Sequence, residues 1–93
     1  MRDVADVYKA LADPTRRAIL DELVAKDGQT LFELCTRIFA RQDEEMSRQG
    51  VSQHLAVLEE AGLVRSERQG RYKVHHVDLS PLREITDRWP QRS

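Results

Sequence analysis

SRQGVSQHLAVLEEAGLVR, residues 47–65, carries two patterns at once. Val51, Leu55 and Leu58 recur at helical spacing and define one buried face, with Ser47 as the N-terminal cap and Ala61-Gly62 as the stop. With that face turned inward, Arg48, Gln49, Ser52, Gln53 and Ala56 project to the other side. Arginine suits a guanine edge and glutamine an adenine edge, and these residues fill the first two turns, the part of a reading helix that enters a major groove. The amides freed at the Ser47 end favour a phosphate oxygen. A polar outer face is also what an ordinary solvated helix presents, so both readings stay open at this point. Gly50 in the first turn costs about 1 kcal/mol relative to alanine. A close approach of backbone to DNA or to the preceding helix would account for it, and so would a neutral explanation.

Downstream, LVRSER and RYKVHHV are short runs rich in β-formers, separated at Gln69-Gly70, and predict a hairpin over 64–77. Its tip, Arg68-Gln69-Gly70-Arg71, brings two guanidinium groups across a turn, with Arg65 and Lys73 on the flanking strands. A basic hairpin directly after a polar helix is the layout in which the helix reads a groove and the hairpin grips the backbone beside it. The competing account is that charged residues blunt an edge strand. Ser80-Pro81 then opens a last helix, on which Leu82, Ile85 and Trp89 share a face.

Upstream, Thr30 and Glu33 have capping-box spacing and start a helix with Leu31, Leu34, Ile38 and Phe39 as its apolar stripe. The stretch after it, through Asp43, Glu44 and Glu45, either extends that helix or forms a loop. Asp13-Pro14 is a cap followed by a first-turn proline, and the helix it begins buries Ile19, Leu20 and Leu23 before ending near Gly28. A first helix places Val4, Val7 and Leu11 on one face with Tyr8 beside them. The order is therefore α-α-α-α-β-β-α, a mainly helical chain with one small hairpin.

The chain has 93 residues, room for one domain, 1–93, whose small core many proteins complete by pairing. Lys and Arg total 15 against 16 Asp and Glu, so any footprint of nucleic-acid binding has to be local. Residues 1–46 carry 7 basic and 10 acidic side chains and residues 47–93 carry 8 and 6, which puts the positive half with the reading-helix candidate. A single cysteine, Cys35, makes no internal disulfide, and the N-terminus shows no secretory apolar region. No apolar run approaches the roughly 18 to 20 residues of a membrane span, and a cytoplasmic location is expected.

Enzyme chemistry finds no support. There is no Gly-rich phosphate loop, nucleophile elbow or paired metal-hydrolase motif. Cys35, His54, His75 and His76 are potential ligands, but His75 and His76 are adjacent on a strand and point to opposite faces, and Cys35 lies beside Leu34 and Ile38 on a buried stripe. Neither a metal nor a cofactor is expected.

KALADPTRRAILDEL, residues 9–23, and VSQHLAVLEEAGLVRSERQGRY, residues 51–72, together resemble the ArsR/SmtB family of bacterial winged-helix transcriptional regulators. The resemblance runs from about Val4 to Leu79. It implies a dimeric repressor that binds double-stranded DNA, with residues 47–61 as the recognition helix and residues 68–71 as the wing tip. It implies DNA contacts by Ser47, Arg48, Gln49, Ser52, Gln53 and His54, with Arg68, Gln69, Gly70, Arg71 and Lys73 from the wing. His54 has a second option beside Leu55, packing at the edge of the core. The first and last helices would form the dimer interface through Val4, Val7, Tyr8, Leu11, Leu82, Ile85 and Trp89.

Two departures from the family pattern bear on function. Metal-sensing members carry Cys-x-Cys after Glu-Leu, whereas Glu33-Leu34 is followed here by Cys35, Thr36 and Arg37; the other family site uses Asp and His on the last helix, where Glu84 and Asp87 have no histidine near them. Residues 38–47 are also too long for the three or four residues of a usual helix-turn-helix turn. No residue set identifies a small-molecule or metal effector, and an interaction module that kept the fold without binding specific DNA is the rival function.

Overall fold

A computed structural model describes residues 4–41 and 46–89. Its elements are α1 (Val4–Leu11), α2 (Pro14–Ala25), β1 (Gln29–Thr30), α3 (Leu31–Arg41), α4 (Arg48–Glu60), β2 (Val64–Gln69), β3 (Tyr72–Val77) and α5 (Ser80–Arg88). Helix order and hairpin agree with the sequence reading. One element differs: Gln29 and Thr30 pair antiparallel with His75 and Val74, making a three-stranded sheet in the order β1-β3-β2. Two residues are too few for an alternating pattern to register.

Local chemistry sets the helix boundaries. Asp13 Oδ1 accepts from Thr15 N at 2.8 Å and Arg16 N at 3.1 Å, and Pro14 follows at the first helical position. Burial opposes the Asp13 charge, but the Arg16 and Thr15 amides outweigh it, so its carboxyl is held below the usual value. Thr30 and Glu33 close a full capping box: Glu33 N donates to Thr30 Oγ1 at 3.2 Å while Thr30 N donates to Glu33 Oε1 at 3.0 Å. α4 ends in a Schellman motif, with Gly62 at φ +78°, Gly62 N donating to Glu59 O at 3.0 Å and Leu63 N to Leu58 O at 3.0 Å. The expected Ser80 cap is displaced by one residue. Ser80 is already helical, and its N–H is taken by Asp78 Oδ1 at 2.9 Å.

The core is built by Ile19, Leu23, Leu34, Ile38, Val51 and Leu58 from α2, α3 and α4 and by Leu63 from the α4–β2 connection, with Val64 tying in the sheet. Leu31 is half-buried and packs against it, whereas Phe39, expected on the α3 stripe, is exposed; Cys35 takes the buried place instead. α2 and α3 are also fastened on their surface, where Glu22 receives Arg37 Nη1 at 3.3 Å and Arg41 Nη1 at 3.0 Å. α3 runs on to Arg41, which accounts for part of the long connection to α4; Asp43, Glu44 and Glu45 lie outside the described residues. Among the described residues no helix is long and apolar enough to cross a membrane.

Candidate nucleic-acid interface

α4 is oriented by Val51, Leu55 and Leu58, whose burial leaves Arg48, Gln49, Ser52, Gln53 and Ala56 exposed on the opposite side. Ser47 caps it, its Oγ accepting from Gly50 N at 2.9 Å. Gly50 is explained by the same contact. A Cβ there would lie 3.3 Å from Ser47 Oγ and 3.5 Å from Met46 Cγ, so the residue makes room for the cap, not for α3.

The hairpin register brings Arg68 opposite Lys73 and Gln69 opposite Tyr72. The connecting loop is therefore Gly70-Arg71, one residue later than the Gln69-Gly70 read from sequence. Gly70 has φ +62° and Arg71 does not share the positive φ, the pattern of a II′ turn with glycine at its first central position. This shift explains why Gln69, a poor residue for such a turn, is tolerated: it is the last residue of β2. Arg68, Arg71 and Lys73 are all exposed.

α4 and the wing meet across one cleft of about 510 Å³. Arg48, Ser52, Ala56 and Glu59 line it from α4, Arg71, Tyr72 and Lys73 from the wing, and Thr30, Leu31 and Phe32 from the start of α3. Three cations against one carboxylate give the cleft a net positive lining, interrupted by the apolar Leu31, Phe32 and Ala56. Phe32 and Tyr72 were not singled out by sequence, and Thr30 only as the cap of α3. Phe32 carried a usable signal, because it is an aromatic residue off the Leu31, Leu34, Ile38 stripe, and it is 69 % exposed.

The histidines divide as the strand pleat requires. His75 is buried on the cleft side with Nδ1 2.9 Å from Gln29 O, while His76 points to the other face, between Asp27 Oδ2 at 2.7 Å and Glu67 Oε1 at 3.1 Å. The Asp27 hydrogen bond raises the His76 pKa against the cost of its burial, and Glu67 adds to the rise. His54 takes the core-edge option: it is half-buried, with Nδ1 3.2 Å from Arg16 Nη1. Cys35 is buried, which pushes its thiol pKa up despite Arg48, and Arg37, standing where a second thiol would be, is paired to Glu22. Among the described residues no three His, Cys, Asp or Glu side chains gather as a metal site.

α1 and α5 pack against each other. Of the residues expected to face a second subunit, Val7 is 3 % exposed and belongs to the chain's own core. Leu11, Leu82 and Ile85 are half-buried against that core, and Val4, Tyr8 and Trp89 are exposed.

Comparison with known proteins agrees with this geometry. Residues 11–67 match the model of a helix-turn-helix domain. The chain is 45 % identical over 83 residues to the uncharacterized HTH-type transcriptional regulator YuzN of Bacillus subtilis, covering 89 % of this chain and 90 % of that one. It is 35 % identical over 75 residues to the arsenical resistance operon repressor of Escherichia coli, covering 81 % and 57 %. Among solved structures, the ArsR-like transcriptional regulator from Rhodococcus sp. RHA1 superposes with a TM-score of 0.74 at 32 % identity, covering 91 % of this chain and 76 % of that one. A capped helix with an outward polar face, a basic wing sharing its cleft, and these likenesses lead to one conclusion: the chain belongs to the ArsR/SmtB family of winged helix-turn-helix regulators and is a DNA-binding transcriptional regulator, not an enzyme.

Proposed function

We propose that the protein is a homodimeric repressor that binds a short palindromic operator, each subunit laying α4 in a major groove and its wing against the adjoining backbone. The whole chain, 1–93, acts as one domain in the cytoplasm. The observation that carries this reading is the shared cleft, in which Arg48 and Ser52 of the helix and Arg71 and Lys73 of the wing face the same space. Gln49 and Gln53 read base edges, Arg48 reads a base or holds a phosphate, and Ser47 and Ser52 hold backbone oxygens. Arg68, Arg71 and Lys73 neutralise phosphates around the Gly70-Arg71 turn and the Gln69 strand end beside it. Val4, Tyr8, Leu11, Leu82, Ile85 and Trp89 cover one another across the two-fold axis, which buries an apolar surface that a 93-residue chain is otherwise left exposing.

Dimer symmetry predicts half-sites one helical turn apart, about 34 to 36 Å. The test is selection from randomised duplexes followed by sedimentation of the selected complex. A palindrome with two chains per duplex is the expected result. Recovery of unrelated sequences with no common motif would favour an interaction module that kept the fold.

The Arg37–Glu22 pair and the buried Cys35 support regulation by something other than thiolate-bound metal, because the family's dithiol arrangement has no second thiol here.

A further inference from the structure

The Arg16 guanidinium joins three helices. Its Nε donates to Ala10 O at 2.8 Å and its Nη2 to Lys9 O at 2.8 Å, while Nη1 lies 3.2 Å from His54 Nδ1. Arg17 Nη1 adds a bond to Leu11 O at 2.7 Å. The last three carbonyls of α1, which a helix end leaves short of intrahelical partners, thus receive guanidinium donors from α2, at the negative end of the α1 dipole. Arg17 stops there, but Arg16 continues to the second turn of α4.

Guanidinium has donors only and stays charged, so His54 Nδ1 accepts in this contact and its ring is held in one orientation. His54 sits between Gln53, which faces outward, and Leu55, which faces the core. A displacement of the α1 end is therefore delivered to the α4 surface by a rigid planar fork instead of by apolar contacts that can slide.

We propose that Arg16 is a positioning residue that links the end of α1 to α4 through His54, so that the state of the subunit interface and the binding of DNA are energetically coupled. The inference rests on α1 being part of the dimer interface and α4 the reading helix. Coupling of this kind is reciprocal: if dimerisation aligns α4 for DNA, DNA must tighten the dimer by the same factor.

The test measures the dimer dissociation constant by sedimentation, free and saturated with a duplex carrying a single half-site. In the wild-type chain the half-site is expected to tighten the dimer by about 5-fold or more. Arg16→Lys keeps a charge at the α1 end but loses the fork, and the ratio is expected to fall to about 1, with the dimer's half-site affinity falling by the same factor while the monomer's half-site affinity and the thermal midpoint change little. His54→Leu should also abolish the ratio, and His54→Gln, which restores an acceptor, should recover part of it. A ratio unchanged in Arg16→Lys and His54→Leu, or a wild-type ratio of 1, overturns the linkage. A chain that remains monomeric, or that binds no duplex, overturns the dimeric reading beneath it and is seen in the wild-type measurement alone.

Discussion

His76 Nδ1 lies 2.7 Å from Asp27 Oδ2, and Asp27 Oδ1 accepts from Val77 N at 2.8 Å, so one carboxylate ties the α2–β1 connection to the base of the wing. Glu67 closes the other side of the imidazole. His76 is thereby held above its ordinary pKa of 6.5, and the folded chain binds that proton more tightly than the unfolded one. Its contribution is complete below 6.5 and is lost as pH rises through the raised folded value. The carboxylates work in the opposite sense. Asp27, whose burial is outweighed by His76 and the Val77 amide, and Glu67, held down by Gln69 and His76, sit below their ordinary 3.8 and 4.5, so their contributions are lost as pH falls through the lowered values.

The stability difference between the wild-type chain and His76→Asn is therefore expected to peak between roughly pH 5 and 6.5 and to shrink on either side. Urea unfolding at a series of pH values measures it. A difference that stays constant from pH 5 to pH 8 would show that the His76 charge contributes nothing to the fold.

Arg68 and Arg71 are exposed on the wing and form no ion pair among the described residues, so their charges are available to a polyanion. Replacing both by alanine should lower the slope of log affinity against log salt by about 2 per subunit, about 4 for the dimer, one phosphate for each cation, and weaken binding to all sequences alike. Titration of a selected duplex at several salt concentrations reads the slope. An unaltered slope would leave the two arginines as edge-strand charges with no part in binding.

Gln53 is exposed on the outer face of α4, in its second turn after the Ser47 cap. Its replacement by alanine should relax the preferred base at one position of each half-site at a cost of about 1 to 3 kcal/mol, with the salt slope kept. A repeat of the randomised selection checks this, and recovery of the same site with equal stringency would move base reading to Gln49 or Arg48.

The helices and caps were legible because each rests on contacts within a few residues. Asp13 with Thr15 and Arg16, and Thr30 with Glu33, are local in sequence and follow from residue type and spacing. The outward residues of α4 were legible for the same reason, since periodicity alone separates them from Val51, Leu55 and Leu58. What escaped depends on contacts across the chain. β1 exists only through pairing with β3, 44 to 46 residues away, and Phe32 and Tyr72 become neighbours of one cleft only when α3 and the sheet come together. The displaced turn is an instructive case. Gln69 and Gly70 are adjacent in sequence, but the ladder register that makes one a strand residue and the other a loop residue is set by cross-strand pairing. Arg16 reads as one more charge on a helix until the carbonyls of α1 and the ring of His54 are placed around it.

Gln29 offers the last test, because it is a polar side chain held wholly inside the fold at the junction of α2, β1 and the sheet. Its Nε2 donates to Lys26 O at 2.7 Å and to Glu22 O at 3.1 Å, satisfying carbonyls at the end of α2, while its Oε1 is buried with no hydrogen-bond partner among the described residues. Two gains and one desolvated acceptor nearly offset each other, so Gln29→Met, which keeps the length and removes all three, is expected to lie within about 1 kcal/mol of wild type. Gln29→Ala loses the same bonds and leaves a cavity beneath β3, and should cost about 2 kcal/mol or more. Urea unfolding of the pair separates packing from polarity at this position. Equal losses in the two variants would mean that the hydrogen bonds to the α2 terminus, not the volume of the side chain, hold β1 against the sheet and so hold the floor of the cleft where His75 rests on the Gln29 carbonyl.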